Sequence, residues 1–234
     1  PFRPPHERER LHREAEARWR RLGAAYPELA ATIAHGRSLV ALYIDDLPPP
    51  ATLDLDADRA RRKLAAGVPL LIDEVFATDP AALRHFFYRL CLWAGRQPEL
   101  AAEGRLLERA LLDGQLRAEE LFAAALADDQ ATIGAVARRL DLPEVLLHSL
   151  TGYLLVAALL GTARALGPLL DAAEPPWAGD GCPVCSGPPL LAELLDERPG
   201  RWLRCAACGT GWAAPDDRCI HCGTTDATMR ETVS

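Results

Sequence analysis

The stretch that decides the fold of this chain lies at residues 182–222 and reads CPVCSGPPLLAELLDERPGRWLRCAACGTGWAAPDDRCIHC. It holds six of the seven cysteines of the 234-residue chain. All six form C-x-x-C pairs, namely Cys182/Cys185, Cys205/Cys208 and Cys219/Cys222. Such a pair places two thiolates on one tight turn, and two pairs brought together form a tetrahedral four-sulfur metal site. The seventh cysteine, Cys91, stands alone in the sequence and is predicted to be a small buried hydrophobic residue.

Dithiol redox chemistry is a second interpretation of these pairs, and the segment Cys182–Cys185 has a suitable form for it. That chemistry is typical of a thioredoxin-like βαβ context, which the sequence does not show. Metal binding is therefore favoured. The residues alone leave open which pairs share a metal, because the 19- and 10-residue spacers between successive pairs differ in loop-closure free energy by only about 0.6 kcal/mol. A glycine after the second cysteine, as at Gly209 and Gly223, suits a turn that needs positive φ, whereas the first pair has Ser186 there.

The chain before this stretch reads as one helix after another, and its composition changes at residues 174–176, where Glu-Pro-Pro ends the helical periodicity. Beyond that point we predict two short hairpins, one pairing residues 189–195 with 201–204 and one around residues 215–217. The predicted fold class is therefore mainly α, with an N-terminal all-α domain followed by a small β module stapled by metal. The predicted helices lie at 6–22, 27–45, 56–66, 68–77, 80–94, 98–112, 117–127, 130–140 and 143–166.

Charge and hydropathy exclude several classes of protein. The chain has a formal net charge of −7, and residues 182–234 hold five arginines and seven acidic residues, which is the wrong sign for phosphate binding. The N-terminal 21 residues are charged throughout and lack the apolar core of a secretory signal. The apolar run GYLLVAALLGTA at residues 152–163 is predicted to be a core helix, too short to span a bilayer. A reducing cytoplasm, where thiols bind metal rather than form disulfides, is the expected compartment.

Trp177 followed by GCPVCSGPPL, then GRWLRCAACGTGW and RCIHCG, resembles the formate dehydrogenase accessory protein family FdhE. The resemblance implies an all-α helical domain at 1–176, a rubredoxin-like or zinc-ribbon module at 177–217, and the incomplete first half of a second rubredoxin-like module at 218–234. The second module is expected to be incomplete because the fourth C-x-x-C pair of the family is absent, so that the chain is expected to be a C-terminally incomplete member. The implied metal ligands are Cys182, Cys185, Cys205, Cys208, Cys219 and Cys222, with the first four forming the complete site.

The resemblance also implies a function. It predicts a cytoplasmic accessory or maturation factor that binds the catalytic subunit of respiratory formate dehydrogenase, a client exported through the twin-arginine system. The implied cofactor is iron in a rubredoxin-type site of four cysteines, or zinc. No catalytic residue, no nucleic acid and no membrane insertion are expected, and the chain is expected not to be an enzyme. The alternatives are a rubredoxin-like electron-transfer protein and, less favoured, a zinc-ribbon nucleic-acid-binding protein.

Overall fold

The structure is a computed structural model, and it describes residues 4–172, 177, 179–195, 198–214, 219 and 224–225. Within these residues, short 3₁₀ turns precede the second and the fifth helix, at Pro27–Leu29 and Pro98–Leu100. The predicted fold class, mainly α with a small β module, is confirmed. The α-helices are α1 (Pro5–Ala25), α2 (Ala30–Asp46), α3 (Ala57–Ala65), α4 (Pro80–Ala94), α5 (Ala101–Leu112), α6 (Ala118–Leu126), α7 (Gln130–Arg139) and α8 (Glu144–Asp171). The strands are β1 (Pro189–Leu195), β2 (Arg198–Cys205) and β3 (Gly211–Ala214).

The chain divides into two compact units. The first comprises Pro1–Pro49 and Thr78–Ala158, and the second comprises Pro50–Ala77 and Leu159–Ser234. The second unit therefore combines the cysteine-rich stretch with α3, the loop that follows it and the C-terminal half of α8. The domain boundary expected between residues 176 and 177 stays a prediction.

Helix α4 carries much of the core of the first unit. Its apolar side chains recur at three- and four-residue intervals, which places them on one face of the helix. The predicted role of Cys91 as a buried hydrophobic residue is confirmed, and burial, with a smaller contribution from the charge of Glu108, raises the pKa of its thiol to about 12. The core residues of α4 that are at most 1% exposed are Leu83, Phe86, Phe87, Leu90, Cys91 and Ala94.

The helix predicted at 68–77 is wrong. In the structure this segment is a series of turns that ends in an isolated antiparallel bridge at Ala77. Asp73 has φ of 61°, a left-handed conformation that a right-handed helix excludes. The amides of Leu70 and Leu71 donate to carbonyls outside the segment instead of to a helical turn. Long-range hydrogen bonds, which helical periodicity does not report, therefore decide the conformation of this segment.

Helix α8 is longer than predicted, because it continues beyond residue 166 to Asp171. Its most apolar window of 18 residues has a mean hydropathy of 1.7, and among the described residues it is the one helix long and apolar enough to cross a membrane. The expectation that this run is too short to do so is therefore wrong. Half of the window is buried inside the protein, and Leu150, Leu154 and Ala157 are at most 1% exposed. A buried core helix meets the same length and composition criterion.

The strands form an antiparallel sheet in the order β1-β2-β3. The predicted hairpin of residues 189–195 is present as β1 and β2, whereas the one predicted around residues 215–217 lies outside the described residues. Leu203 of β2 pairs with Trp212 of β3, and both are at most 4% exposed. At the next position of β2, Arg204 forms a 2.6 Å ion pair with Glu193 of β1. The sheet thus has a small apolar core beside the second cysteine pair.

Candidate metal centre

Four cysteine sulfurs form a compact cluster in the second unit. The Sγ atoms of Cys182, Cys185, Cys205 and Cys208 all lie within 4.8 Å of one another. The distance is 3.5 Å both for Cys182–Cys208 and for Cys185–Cys205. Four metal–sulfur bonds of about 2.3 Å in a tetrahedron require sulfur–sulfur distances of about 3.8 Å. The cluster therefore has the donor atoms and the spacing that a tetrahedral zinc or iron ion needs.

The first pair lies on a tight turn between the start of the cysteine-rich stretch and β1. The amide of Cys182 donates to the Gly187 carbonyl at 3.0 Å, and the amide of Ser186 donates to the Cys182 carbonyl at 2.9 Å. The amide of Val184 lies 3.4 Å from the Cys182 sulfur and donates to it. Ser186 has φ of 63°, so the position after the second cysteine does adopt the left-handed conformation, although it holds a serine.

The second pair lies on an equivalent turn between β2 and β3. The amide of Cys205 donates to the Thr210 carbonyl at 2.9 Å, and that of Gly209, which has φ of 69°, donates to the Cys205 carbonyl at 3.3 Å. The Cys205 sulfur accepts from the amides of Ala207 at 3.3 Å and Cys208 at 3.5 Å. Repetition of this turn at two places is what directs the four sulfurs to a common point.

Two further features complete the surroundings of the sulfurs, and sequence reasoning missed both. The Thr210 hydroxyl lies 3.1 Å from the Cys208 sulfur and can donate to it when the cysteine is a thiolate. Gly187 lies so close to the cluster that a Cβ there would be 3.1 Å from the Cys205 sulfur and 3.2 Å from the Cys185 sulfur. The sequence offers one signal for each of these features. Thr210 lies two residues after the second pair, and Gly187 lies two residues after the first pair.

The loop that follows α3 supports the first cysteine turn through its backbone. The amide of Leu70 donates to the Pro183 carbonyl and the amide of Leu71 to the Val184 carbonyl, both at 2.8 Å. Leu70 and Val184 are completely buried, so that these bonds are shielded from water. The two residues between Cys182 and Cys185 are therefore fixed by a segment more than a hundred positions earlier in the chain, for which no local sequence signal exists.

The third cysteine pair lies only partly in the described residues. The amide of Cys219 donates to the Thr224 carbonyl at 2.8 Å. This bond joins positions five apart, as do the bonds made by the amides of Cys182 and Cys205. Cys219 is not part of the four-sulfur cluster found among the described residues, and Cys222 lies outside those residues. The structure thus brings four of the six predicted ligands together, and a metal-binding role for the third pair stays a prediction.

Mutual hydrogen bonding makes the four thiols unequal. Hydrogen bonds with Cys182, Cys205 and Cys208 raise the pKa of the Cys185 thiol. Hydrogen bonds with Cys182, Cys185 and Cys208 lower the pKa of the Cys205 thiol, and hydrogen bonds with Cys182 and Cys185 lower the pKa of the Cys208 thiol. A bound metal favours ionisation of all four thiols.

No protein-family model matches the chain. The chain is 32% identical over 53 residues to a protein described as Protein FdhE homolog from Aquifex aeolicus (strain VF5), over 21% of this chain and 19% of that protein. The matched segment therefore spans about a fifth of the length of this curated relative. The crystal structure of the FdhE protein from Pseudomonas aeruginosa has the same fold, with a TM-score of 0.52 and 22% identity, over 92% of this chain and 70% of that chain. The short sequence match and the shared fold thus agree with the resemblance to the FdhE family drawn from the C-x-x-C pairs.

Proposed function

We propose that the chain is a cytoplasmic accessory factor that binds the catalytic subunit of a respiratory formate dehydrogenase and assists its maturation. The observation that carries the proposal is the cluster of four cysteine sulfurs within 4.8 Å of one another in a chain that resembles the FdhE family in its C-x-x-C pairs and in its fold. The resemblance to the FdhE family supports an accessory role rather than catalysis. The choice of formate dehydrogenase as the client enzyme follows from the family resemblance.

The proposed metal ligands of the main site are Cys182, Cys185, Cys205 and Cys208. Their spacing suits either zinc or iron, because both ions accept four thiolates in a tetrahedral arrangement. A bound ion would join the two cysteine turns and stabilise the small sheet between them, since metal binding to such a site contributes directly to folding. With iron the site would in addition be able to accept or release one electron. Cys219 and Cys222 are proposed as ligands of a second site.

Co-purification tests the client. The full chain, carrying an affinity tag, is expressed with the catalytic subunit of formate dehydrogenase and isolated under reducing, anaerobic conditions. We expect the subunit to be retained by the wild-type chain, and retention to fall for Cys205→Ser, which removes a ligand from the cluster. Cys91→Ala is the matched control, because it removes a buried cysteine outside the cluster. Failure of the wild-type chain to retain the subunit would overturn the proposal.

Metal content and absorption test the site and separate the accessory role from electron transfer. We expect the anaerobically purified chain to contain zinc or iron, and Cys205→Ser to lose it. A colourless protein that contains only zinc would rule out electron transfer by this site, since zinc has no redox chemistry. A reversible change between red and colourless on oxidation and reduction would instead support the electron-transfer alternative.

A further inference from the structure

The four sulfurs of the cluster differ in their exposure to solvent. Cys182, Cys205 and Cys208 are at most 2% exposed. Cys185 is only part-buried. A reagent dissolved in water therefore reaches the cluster most directly at Cys185.

The sulfurs also differ in the donors that contact them. Cys182 and Cys205 accept backbone amides, and Cys208 has the Thr210 hydroxyl at 3.1 Å. Within the described part of the chain, the sulfur of Cys185 has no such donor, and its hydrogen-bonding neighbours are the other sulfurs of the cluster. Hydrogen bonds to a thiolate withdraw charge from the sulfur and make it a weaker nucleophile, and such outer-shell contacts also hold a ligand in its orientation on the metal. Cys185 consequently keeps more of its charge and is the least supported of the four ligands.

We infer that Cys185 is the reactive ligand of the metal-loaded cluster, the one at which thiol-directed electrophiles modify the site. The inference rests on the proposed metal site. With iodoacetamide, an electron pair of the Cys185 sulfur attacks the methylene carbon, a carbon–sulfur bond forms, and the carbon–iodine bond breaks with loss of iodide. The product is a neutral thioether, so the bond between this sulfur and the metal is lost. The three buried sulfurs are then left as a weakened site that releases the ion.

The neighbouring charges do not reverse this order. The other cysteine of the same turn, Cys182, is completely buried. Across the cluster, the turn of the second pair presents a part-exposed Ala207 and a buried Cys208 to the same region. Neither residue carries an acidic side chain that would change the charge on the Cys185 sulfur, and iodoacetamide is itself uncharged. Access and hydrogen bonding therefore determine the order of reaction together.

The test is the order of alkylation in the zinc-loaded full chain. A limiting amount of iodoacetamide is added, zinc release is followed with a chromogenic chelator, and modified cysteines are identified by peptide fragmentation, with Cys219 and Cys222 mapped separately. We expect Cys185 to be modified several-fold faster than the other three cluster cysteines, and zinc release to follow its modification. Cys91, buried and with its thiol protonated, is expected to stay unmodified and so reports that the protein remains folded.

Two variants strengthen the test. Cys185→Ser is expected to lose the fast phase of cluster alkylation, whereas Cys91→Ala is expected to keep it, since all four cluster cysteines remain in place. Modification of Cys182, Cys205 or Cys208 before Cys185 in the zinc-loaded wild-type chain would overturn this inference alone. Absence of bound zinc and iron from the wild-type chain would overturn the proposed metal site, and this inference with it. If a variant fails to fold, the order of alkylation in the wild-type chain still shows whether Cys185 is the reactive ligand.

Discussion

The amide of Leu70 donates a 2.8 Å hydrogen bond to the carbonyl of Pro183, the residue that follows the first cysteine of the cluster. The next residue, Leu71, makes the same kind of bond to Val184. The loop after α3 thus forms part of the support of the metal centre, and its geometry and that of the first cysteine turn depend on each other. Metal binding should therefore stabilise a segment that contains no ligand.

The first prediction concerns this support. Leu70→Ala should destabilise the protein by about 2–5 kcal/mol, because it removes a completely buried side chain, and should weaken zinc binding through loss of the support. Ile72→Ala, at a side chain that is 39% exposed, should cost at most about 1 kcal/mol and leave zinc affinity unchanged. Urea unfolding and competition with a chelator measure both effects. Equal zinc affinity of Leu70→Ala and the wild-type chain would show that the loop does not support the site.

Hydrogen exchange gives a second prediction for the same contact. The amides of Leu70 and Leu71 should exchange more slowly in the zinc-loaded chain than in the metal-free chain, because the metal holds the carbonyls that they contact. Amides in the core of α4, such as that of Phe87, belong to the other unit and serve as the reference. Equal changes in exchange rate at Leu70, Leu71 and Phe87 would indicate that zinc stabilises the whole protein and does not act through the loop after α3.

The sequence predicted the helices well because each depends on local periodicity, as α4 shows, where apolar residues at three- and four-residue intervals are buried. It failed at 68–77, because the amides of Leu70 and Leu71 are satisfied by carbonyls more than a hundred residues away. It also placed the end of α8 five residues too early. Long-range backbone contacts and exact helix ends are what a local pattern does not encode.

The candidate site also has features that the local sequence predicts and features that it does not. The spacing within each C-x-x-C pair predicts the sulfur geometry, and the geometry of the turn predicts a left-handed residue after the second cysteine, which the structure has at both Ser186 and Gly209. Which pairs share a metal was not determined by spacer length, since the loop-closure difference is small. The contact between the Thr210 hydroxyl and the Cys208 sulfur, two residues earlier, depends on the side-chain rotamer of Thr210, which the spacing of the cysteines does not determine.

The third prediction compares two neighbouring residues of the first cysteine turn. Ser186→Gly should raise the free energy of unfolding by about 1 kcal/mol, because a left-handed conformation is strained for serine and not for glycine. Gly187→Ala should instead lower zinc affinity by about tenfold, because its Cβ would lie 3.1–3.2 Å from two sulfurs. Thermal unfolding measures the stability change in Ser186→Gly, and competition with a chelator measures the zinc affinity of Gly187→Ala. A Gly187→Ala chain with unchanged zinc affinity would contradict the close contact.

The fourth prediction concerns a buried ion pair in the loop after α3. The side chain of Glu74 is 2% exposed and contacts both Lys63 at 2.7 Å and Arg59 at 2.9 Å. Lys63→Met should cost about 1–3 kcal/mol, because a buried carboxylate loses one of its charged partners. Arg61→Ala is the control, since its ion pair with Asp58 is exposed and such pairs contribute at most about 1 kcal/mol. Urea unfolding measures both, and equal costs for the two variants would show that burial of Glu74 is unimportant.

The fifth prediction concerns the hydroxyl of Thr210, which lies 3.1 Å from the Cys208 sulfur. Thr210→Val keeps the size and the backbone carbonyl but removes the donor, and Thr210→Ser keeps the donor. Loss of an outer-shell hydrogen bond should lower zinc affinity by about tenfold in Thr210→Val and much less in Thr210→Ser.

The same pair of variants has an electrochemical readout in the iron-loaded chain. Reduction adds one negative charge to the four-sulfur site, and a donor at Cys208 stabilises that charge, so the midpoint potential should become more negative in Thr210→Val and stay close to the wild-type value in Thr210→Ser. Voltammetry of the iron-loaded proteins measures the shift. If Thr210→Val kept both the zinc affinity and the potential of the wild-type chain, the hydroxyl would contribute to packing beside Cys208 and not to the stabilisation of its charge.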